Sequence, residues 1–319
     1  MRILITGATG LVGNILVKQA LLDGYEVHFL TRNKAKLGFH KGIKDFYWNP
    51  NENEIDKACF DGVDSIIHLA GATVSKPWTK KYKAEILNSR LWTTQLLVDS
   101  LKNTEHKIKT IVSASAIGVY PSSLDKIHDE EDPVASNSFM EQVVIDWEQA
   151  VDQFSELNIK VSKLRIGLVL AQGGGVLATL KIPTQFGLGA AFGSGNQWQS
   201  WIHVIDVANF FIICSEKNYR GVFNLVSPNP ITQNELLRKM QIDEAVTSNE
   251  EGKLDIEGTA VEEMPAAYSG GFDQKEKEST VDIREILDGF DDNLEINAGE
   301  NKSELNVIEV ENDISSLGF

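Results

Sequence analysis

The chain has 319 residues, 42% hydrophobic and 24% charged, which suits a globular protein with a large core and excludes a minimal disulfide-stapled domain. Its net charge of −16 is lopsided: residues 241–319 hold 22 acidic and 5 basic side chains, whereas the first 240 hold 24 and 25. Neither part is basic enough to hold nucleic acid through its phosphates, so no nucleic-acid partner is expected.

No run approaches the roughly 18 apolar residues of a membrane span. The N-terminal apolar stretch is only Ile3-Leu4-Ile5, with no signal-peptide pattern. No membrane partner is expected, and the cytoplasm is the expected location. Cys59 and Cys214 are far apart, with no CxxC or Cys/His cluster. They read as buried free thiols, and no metal site is expected.

In chain order, Arg2–Thr6 reads as a short buried strand, followed by the turn TGATGLVG and an amphipathic helix, Leu11–Leu22, stopping at Asp23-Gly24. Further strands are expected at Tyr25–Thr31, Ser65–Ala70, Thr110–Ser113, Val161–Leu170 and Gly221–Val226, with helices at Thr79–Leu101 and Asn137–Ser155. This alternation predicts an α/β fold, a doubly wound parallel sheet of Rossmann type. From Ala171 to Trp201 glycines accumulate, either lining a site above the sheet or packing closely on it. A seam is expected near residue 240. Residues 1–170 form the dinucleotide-binding core, 171–240 a small substrate-side region with the last core strand and helix, and 241–319 an acidic tail. The tail offers at most a short helix at Asp282–Phe290 and a short strand at Leu305–Val310, and could dock a protein partner.

The spacing of Gly7, Gly10 and Gly13, between a strand and a helix in the first βαβ unit, points to a pyrophosphate cradle. The first glycine permits the turn, the second lets backbone approach the phosphates, and the third lets the helix pack on the strand. Thr9, Leu11 and Val12 complete that surface. At the end of the second strand stand Thr31, Arg32 and Asn33, with no carboxylate to accept the ribose hydroxyls of NAD. Arg32 suits the 2′-phosphate of NADP, so NADP(H) is the expected cofactor.

DSIIHLAGA (64–72), SRLWTTQLLVDSL (89–101), SASAIGVY (113–120), LRIGLVL (164–170) and FGSGNQWQSWIH (192–203) together resemble the extended, epimerase-like branch of the short-chain dehydrogenase/reductase superfamily. The likeness covers about residues 1–240 and is closest to its atypical YfcH-like group. The resemblance implies that Leu69, Ala70 and Gly71 lie against the cofactor, that Arg90 faces its phosphates or nicotinamide ribose, and that Val144 lines the ribose pocket. It also implies that Ser115, or Ser113 in the alternative register, is the active-site serine. Two departures stand out. The acidic tail replaces the group's C-terminal helical segment. The usual tyrosine–lysine pair is missing, with Met140 and Val144 at its positions and no tyrosine followed four residues later by lysine.

Other groups carry looser expectations. Tyr120 could donate a proton if its loop folds back, or serve as an aromatic plug. Trp78, Trp198 and Trp201 could stack on a flat or sugar substrate. His203 could face the substrate or be a buried, backbone-bonded histidine, and Asp206 reads as the cap of a helix starting near Val207. The expected function is an NADP(H)-dependent oxidoreductase or epimerase-like enzyme acting on a small carbonyl or sugar-nucleotide substrate. The alternative is a catalytically silent NADP(H)-binding protein that reports redox state to a partner.

Overall fold

The computed structural model describes residues 1–38, 42–134, 136–171, 174–177 and 194–239. The expected seam at 240 and the tail elements lie outside these residues.

The strands are β1 (Arg2–Thr6), β2 (Glu26–Thr31), β3 (Ile43–Asn49), β4 (Glu54–Ile55), β5 (Ser65–His68), β6 (Thr110–Ala116), β7 (Lys160–Ile166), β8 (Leu168–Ala171), β9 (Trp198–Gln199), β10 (Trp201–His203), β11 (Gly221–Leu225) and β12 (Ile231–Thr232). The helices are α1 (Leu11–Leu22), α2 (Lys80–Lys102), α3 (Phe139–Asp152) and α4 (Val204–Lys217). One eight-stranded sheet runs β11–β7–β6–β5–β1–β2–β3–β4, parallel throughout except at the β3–β4 edge. This is a Rossmann-like α/β fold. Strand order reverses between β1 and β5, which opens a crevice at their C-terminal ends.

The helices α1 and α4 pack together, as do α2 and α3, and the two pairs flank the sheet. Central strands covered on both faces need continuous apolar runs: Ile3, Leu4, Ile5, Ile66, Ile67, Ile111, Val112 and Leu164 are all fully buried. Burial of a Leu or Ile side chain contributes roughly 1.5–3 kcal/mol, so the central strands dominate the stability. Cys59 and Cys214 are buried and free. Among the described residues no helix is long and apolar enough to cross a membrane.

Several boundaries differ from the sequence expectation. The long strand Val161–Leu170 breaks at Gly167, where a Cβ would lie 2.2 Å from the Ser200 carbonyl oxygen. Beyond that break β8 leaves the main sheet and pairs with β10. The strand β3 escaped the periodicity because only Ile43 and Trp48 of its residues are buried and Lys44 and Asp45 interrupt its apolar run. Helix α4 starts at Val204, not near Val207, and its cap is His203, whose Nδ1 accepts from the Ile205 amide at 3.4 Å. Asp206 therefore stands in the first turn, where its carboxylate favours the helix dipole without capping it. His203 is exposed, which removes the buried-histidine alternative. In the glycine-rich stretch, Gly174 and Gly175 close on the Leu11 side chain, within about 3 Å of where a Cβ would stand.

A buried polar chain ties the crevice to the helices. The Thr6 hydroxyl accepts from the Leu69 and Ala70 amides, both at 3.1 Å, and pairs with His68 Nδ1 at 2.8 Å. His68 Nε2 pairs with Thr94 Oγ1 at 3.1 Å, and Thr94 donates to the Arg90 carbonyl at 2.8 Å. Thr94 Oγ1 spends its proton on Arg90, so the bonds assign His68 as neutral with its proton on Nε2. Burial pulls the His68 pKa down to about 4.

The sign of the resulting pH effect is fixed. The unfolded histidine takes up protons near its ordinary value of 6.5 while the folded one does not, so stability falls as pH falls through this window. Between pH 7 and 4 the His68 contribution to this loss is about 3 kcal/mol. Denaturant titrations across that range should show the slope, and His68→Gln should flatten it. The buried His28, whose pKa is lowered by desolvation, leaves a residual slope of the same sign.

Candidate functional site

The glycine turn occupies the crevice. Gly7 has φ +72°, the left-handed region, and a Cβ there would lie 2.9 Å from the Leu69 carbonyl carbon. At Gly13 a Cβ would lie 2.2 Å from the Gly7 carbonyl oxygen. The Gly10 amide donates to the Gly7 carbonyl at 3.0 Å and Gly10 opens α1, whose first turn has no side-chain cap. Thr9 and Gly10 are exposed, and Leu11 and Val12 half-buried. Uncapped amides under an open glycine backbone fit a pyrophosphate. Leu69, Ala70 and Gly71 form the adjoining wall after β5.

The Thr6–Leu30 register places the residues after β2 beside this turn. Thr31 Oγ1 accepts from the Asn33 amide at 3.2 Å, and Asn33 Oδ1 accepts from the Ala35 amide at 3.0 Å. Arg32 is exposed and makes no hydrogen bond or ion pair among the described residues. The neighbouring Lys34 ammonium lies 4.2 Å from the Tyr47 ring centroid.

At the other end of the crevice, Arg90 Nη1 donates to the carbonyls of Ile86 (2.8 Å) and Ala72 (3.2 Å). Its guanidinium carbon lies 5.0 Å from the Trp147 ring centroid and 3.2 Å from where a Gly71 Cβ would stand. Burial lowers its pKa to about 10. Val144 is buried on α3, one turn before Trp147.

Ser115 is buried, and its hydroxyl donates to Glu148 Oε1 at 2.5 Å. Glu148 also receives Arg165 Nε (2.9 Å) and Nη2 (3.0 Å) in a two-pronged pair. Burial would raise the Glu148 pKa, but the bonds from Arg165 and Ser115 outweigh it and hold the carboxyl below its ordinary value. Ser113 is buried too and donates to the Ala114 carbonyl. Tyr120 does fold back: its hydroxyl accepts from Arg165 Nη1 and donates to Asn224 Oδ1, both at 2.8 Å. Its ring stacks on His128 with centroids 5.0 Å apart. Ser115 and Tyr120 thus meet on one ion pair.

The remaining aromatic groups are tied locally. The indole N–H groups of Trp78, Trp198 and Trp201 donate to the carbonyls of Val74, Leu124 and Asn229. Trp201 and His203 share one face of β10. The Glu148–Arg165 pair escaped the sequence reading. Its signal was available: arginine inside the apolar strand KLRIG has to find a carboxylate when buried.

Two variants test these assignments. Gly13→Ala forces a backbone clash, so it should lose about 1–3 kcal/mol of stability and weaken dinucleotide binding by calorimetry. Glu148→Ala strands the Arg165 charge and should cost about 3–5 kcal/mol in denaturant melts, whereas Ser115→Ala should cost about 1–3 kcal/mol.

The NAD dependent epimerase/dehydratase family model matches residues 3–225. An epimerase family protein of Staphylococcus saprophyticus is 38% identical over 228 residues, covering 70% of this chain and 74% of that one. The crystal structure of human epimerase family protein SDR39U1 with NADPH has a TM-score of 0.63 and 30% identity, covering 74% of this chain and 77% of that one. A nucleoside-diphosphate sugar epimerase from Corynebacterium glutamicum gives 0.64 and 29%, covering 77% of this chain and 50% of that one. With the glycine turn, the switch-point crevice and a match over most of the described residues, the chain belongs to the NAD dependent epimerase/dehydratase family.

Proposed function

We propose that the chain is an NADP(H)-binding oxidoreductase or epimerase-like enzyme of the atypical YfcH-like group, acting in the cytoplasm on a small carbonyl or sugar-nucleotide substrate. The observation that carries this reading is the turn that excludes a Cβ at residues 7 and 13 and lies beside Arg32, which is unpaired among the described residues. NADPH, when bound, supplies the hydride. The α1 amides hold its pyrophosphate, and Arg32, with Lys34 and Asn33 beside it, receives the 2′-phosphate, where a carboxylate would repel it. The human relative crystallised with NADPH supports this choice, and the Corynebacterium relative supports the sugar-nucleotide class.

On the catalytic side, Tyr120 is the candidate proton donor. The Arg165 cation faces the phenol oxygen, where negative charge develops as the proton leaves. Ser115 is a positioning residue in this reading: its hydroxyl bonds Glu148, which holds Arg165 against the Tyr120 oxygen. Trp201 and His203 face the substrate.

A second reading rests on the same residues. Met140 and Val144 offer no proton relay, and the serine is already spent, which favours a silent NADP(H)-binding sensor that docks a protein partner through its acidic tail. Calorimetric titration and a turnover panel separate the outcomes. NADPH should bind at least about tenfold more tightly than NADH, and Arg32→Ser should remove about 1–2 kcal/mol of that preference. Binding of neither dinucleotide overturns both readings. Turnover of any carbonyl or sugar nucleotide excludes the silent one, and tight binding without turnover across the panel excludes the enzyme.

A further inference from the structure

The loop of residues 121–132 folds back over Tyr120 and grips it at the ring, at the backbone and at the hydroxyl end. The imidazole of His128 stacks on the phenol ring, with centroids 5.0 Å apart and planes 12° from parallel. Its Nε2 lies 3.2 Å from the carbonyl oxygen of Pro121, the residue that follows Tyr120. At the hydroxyl end, Glu130 Oε1 accepts from the amide of Asn224 at 2.6 Å, and Asn224 Oδ1 is the acceptor of the Tyr120 hydroxyl.

The bonding partners of His128 fix its charge. Nδ1 faces Asp132 Oδ2 at 2.9 Å, while Nε2 faces the Pro121 carbonyl. A carbonyl oxygen and an ionised carboxylate accept only, so both ring nitrogens donate and the ring carries both protons. His68 differs because its partners are hydroxyls, which can accept or donate. Asp132 is held ionised by Lys126, whose Nζ lies 2.8 Å from Oδ1, and this bond keeps its carboxyl below the ordinary value. The Asp129 amide adds a further donor to Asp132 Oδ2 at 3.3 Å. From β7, the Arg165 guanidinium carbon lies 5.1 Å from the Tyr120 ring centroid. The His128 and Asp132 side chains are only 13% and 18% exposed, so water is a limited substitute for either bond. A neutral imidazole has one N–H and must give up Pro121 or Asp132. It also loses the attraction of a cation for the face of the phenol ring.

We infer that His128, as a double donor between Pro121 and Asp132, is a positioning residue for Tyr120, and that loss of one of its protons as pH rises loosens the phenol from its place beside Arg165 and Asn224. Without the Pro121 bond the backbone next to Tyr120 is freed; without the Asp132 bond the imidazole can swing off the ring. The sense is opposite to that of His68, whose proton uptake weakens the fold as pH falls. The inference rests on the reading of Tyr120 as the proton donor, which makes the residue that His128 positions a catalytic one.

The test is an NMR titration of the full chain, isotope-labelled at the histidine ring nitrogens and the tyrosine Cζ carbon, between about pH 5 and 9. His128→Phe and Tyr120→Phe assign the two signals. Both ring nitrogens of His128 should carry protons at the acid end, and the Tyr120 signal should move in step as His128 loses one. In His128→Phe, which keeps an aromatic ring against the phenol, the Tyr120 signal should stay fixed over the same range. Asp132→Asn should move both transitions together to lower pH by about one unit, and it carries the test if His128→Phe fails to fold. The inference is overturned by a His128 that neither gains nor loses a proton across the range, or by a Tyr120 signal that ignores the His128 titration. Movement of the Tyr120 signal that survives in His128→Phe overturns it as well. None of these readouts needs turnover. With a substrate in hand, full activity in Tyr120→Phe overturns the proton-donor reading while leaving the coupling of His128 to Tyr120 intact.

Discussion

The approach of the first turn of α1 to the Gly7 carbonyl, too close for any side chain at residue 13, governs the geometry of the whole crevice. It fixes where α1 starts and leaves the opening amides without a side-chain cap. The same turn is braced from behind. Thr6 accepts two amides from the segment after β5, and His68 passes the connection through Thr94 to the backbone of Arg90. The glycine turn and the helix that carries Lys83 and Arg90 are therefore one mechanical unit. A neutral, fully buried imidazole is costly in acid, and its position at this junction gives the cost a purpose.

A second buried network organises the far side of the crevice. The Glu148–Arg165 pair brings α3 and β7 together and takes Ser115 from β6 and Tyr120 from the following loop as further partners. Such a pair is weak evidence for net stability, because desolvation offsets much of the attraction. Its value lies in orientation. Arg165 has its Nε and both terminal nitrogens engaged, and it therefore holds the Tyr120 hydroxyl at a defined place beside Asn224. Helix α3 is apolar at 140 and 144, while α2 turns Lys83 and Arg90 toward its aromatic rings.

The glycine turn was legible in the sequence because its requirements are local. A glycine that must adopt positive φ, a glycine that must lack a Cβ, and a basic residue at a strand end are set by spacing along one βαβ unit. The strand β3 was not legible, because a strand next to the sheet edge with Lys44 and Asp45 shows no continuous apolar run. The helix cap at His203 was equally hidden, since Asp206 is the better cap by residue type and only the backbone decides which one precedes the first turn.

The sequence by itself determined the doubly wound architecture, the tight glycine turn and the absence of a tyrosine–lysine pair, all of which depend on residue identity at short range. Tertiary structure alone decided that the Ser115 proton belongs to Glu148, that Tyr120 lies between Arg165 and Asn224, and that Lys83 and Arg90 stand over aromatic rings of another helix. Hydrogen-bond partners separated by 33, 45 and 104 residues meet only when parallel strands align their ends. No periodicity within a single segment encodes that alignment, because it is set by sheet register and helix packing acting together.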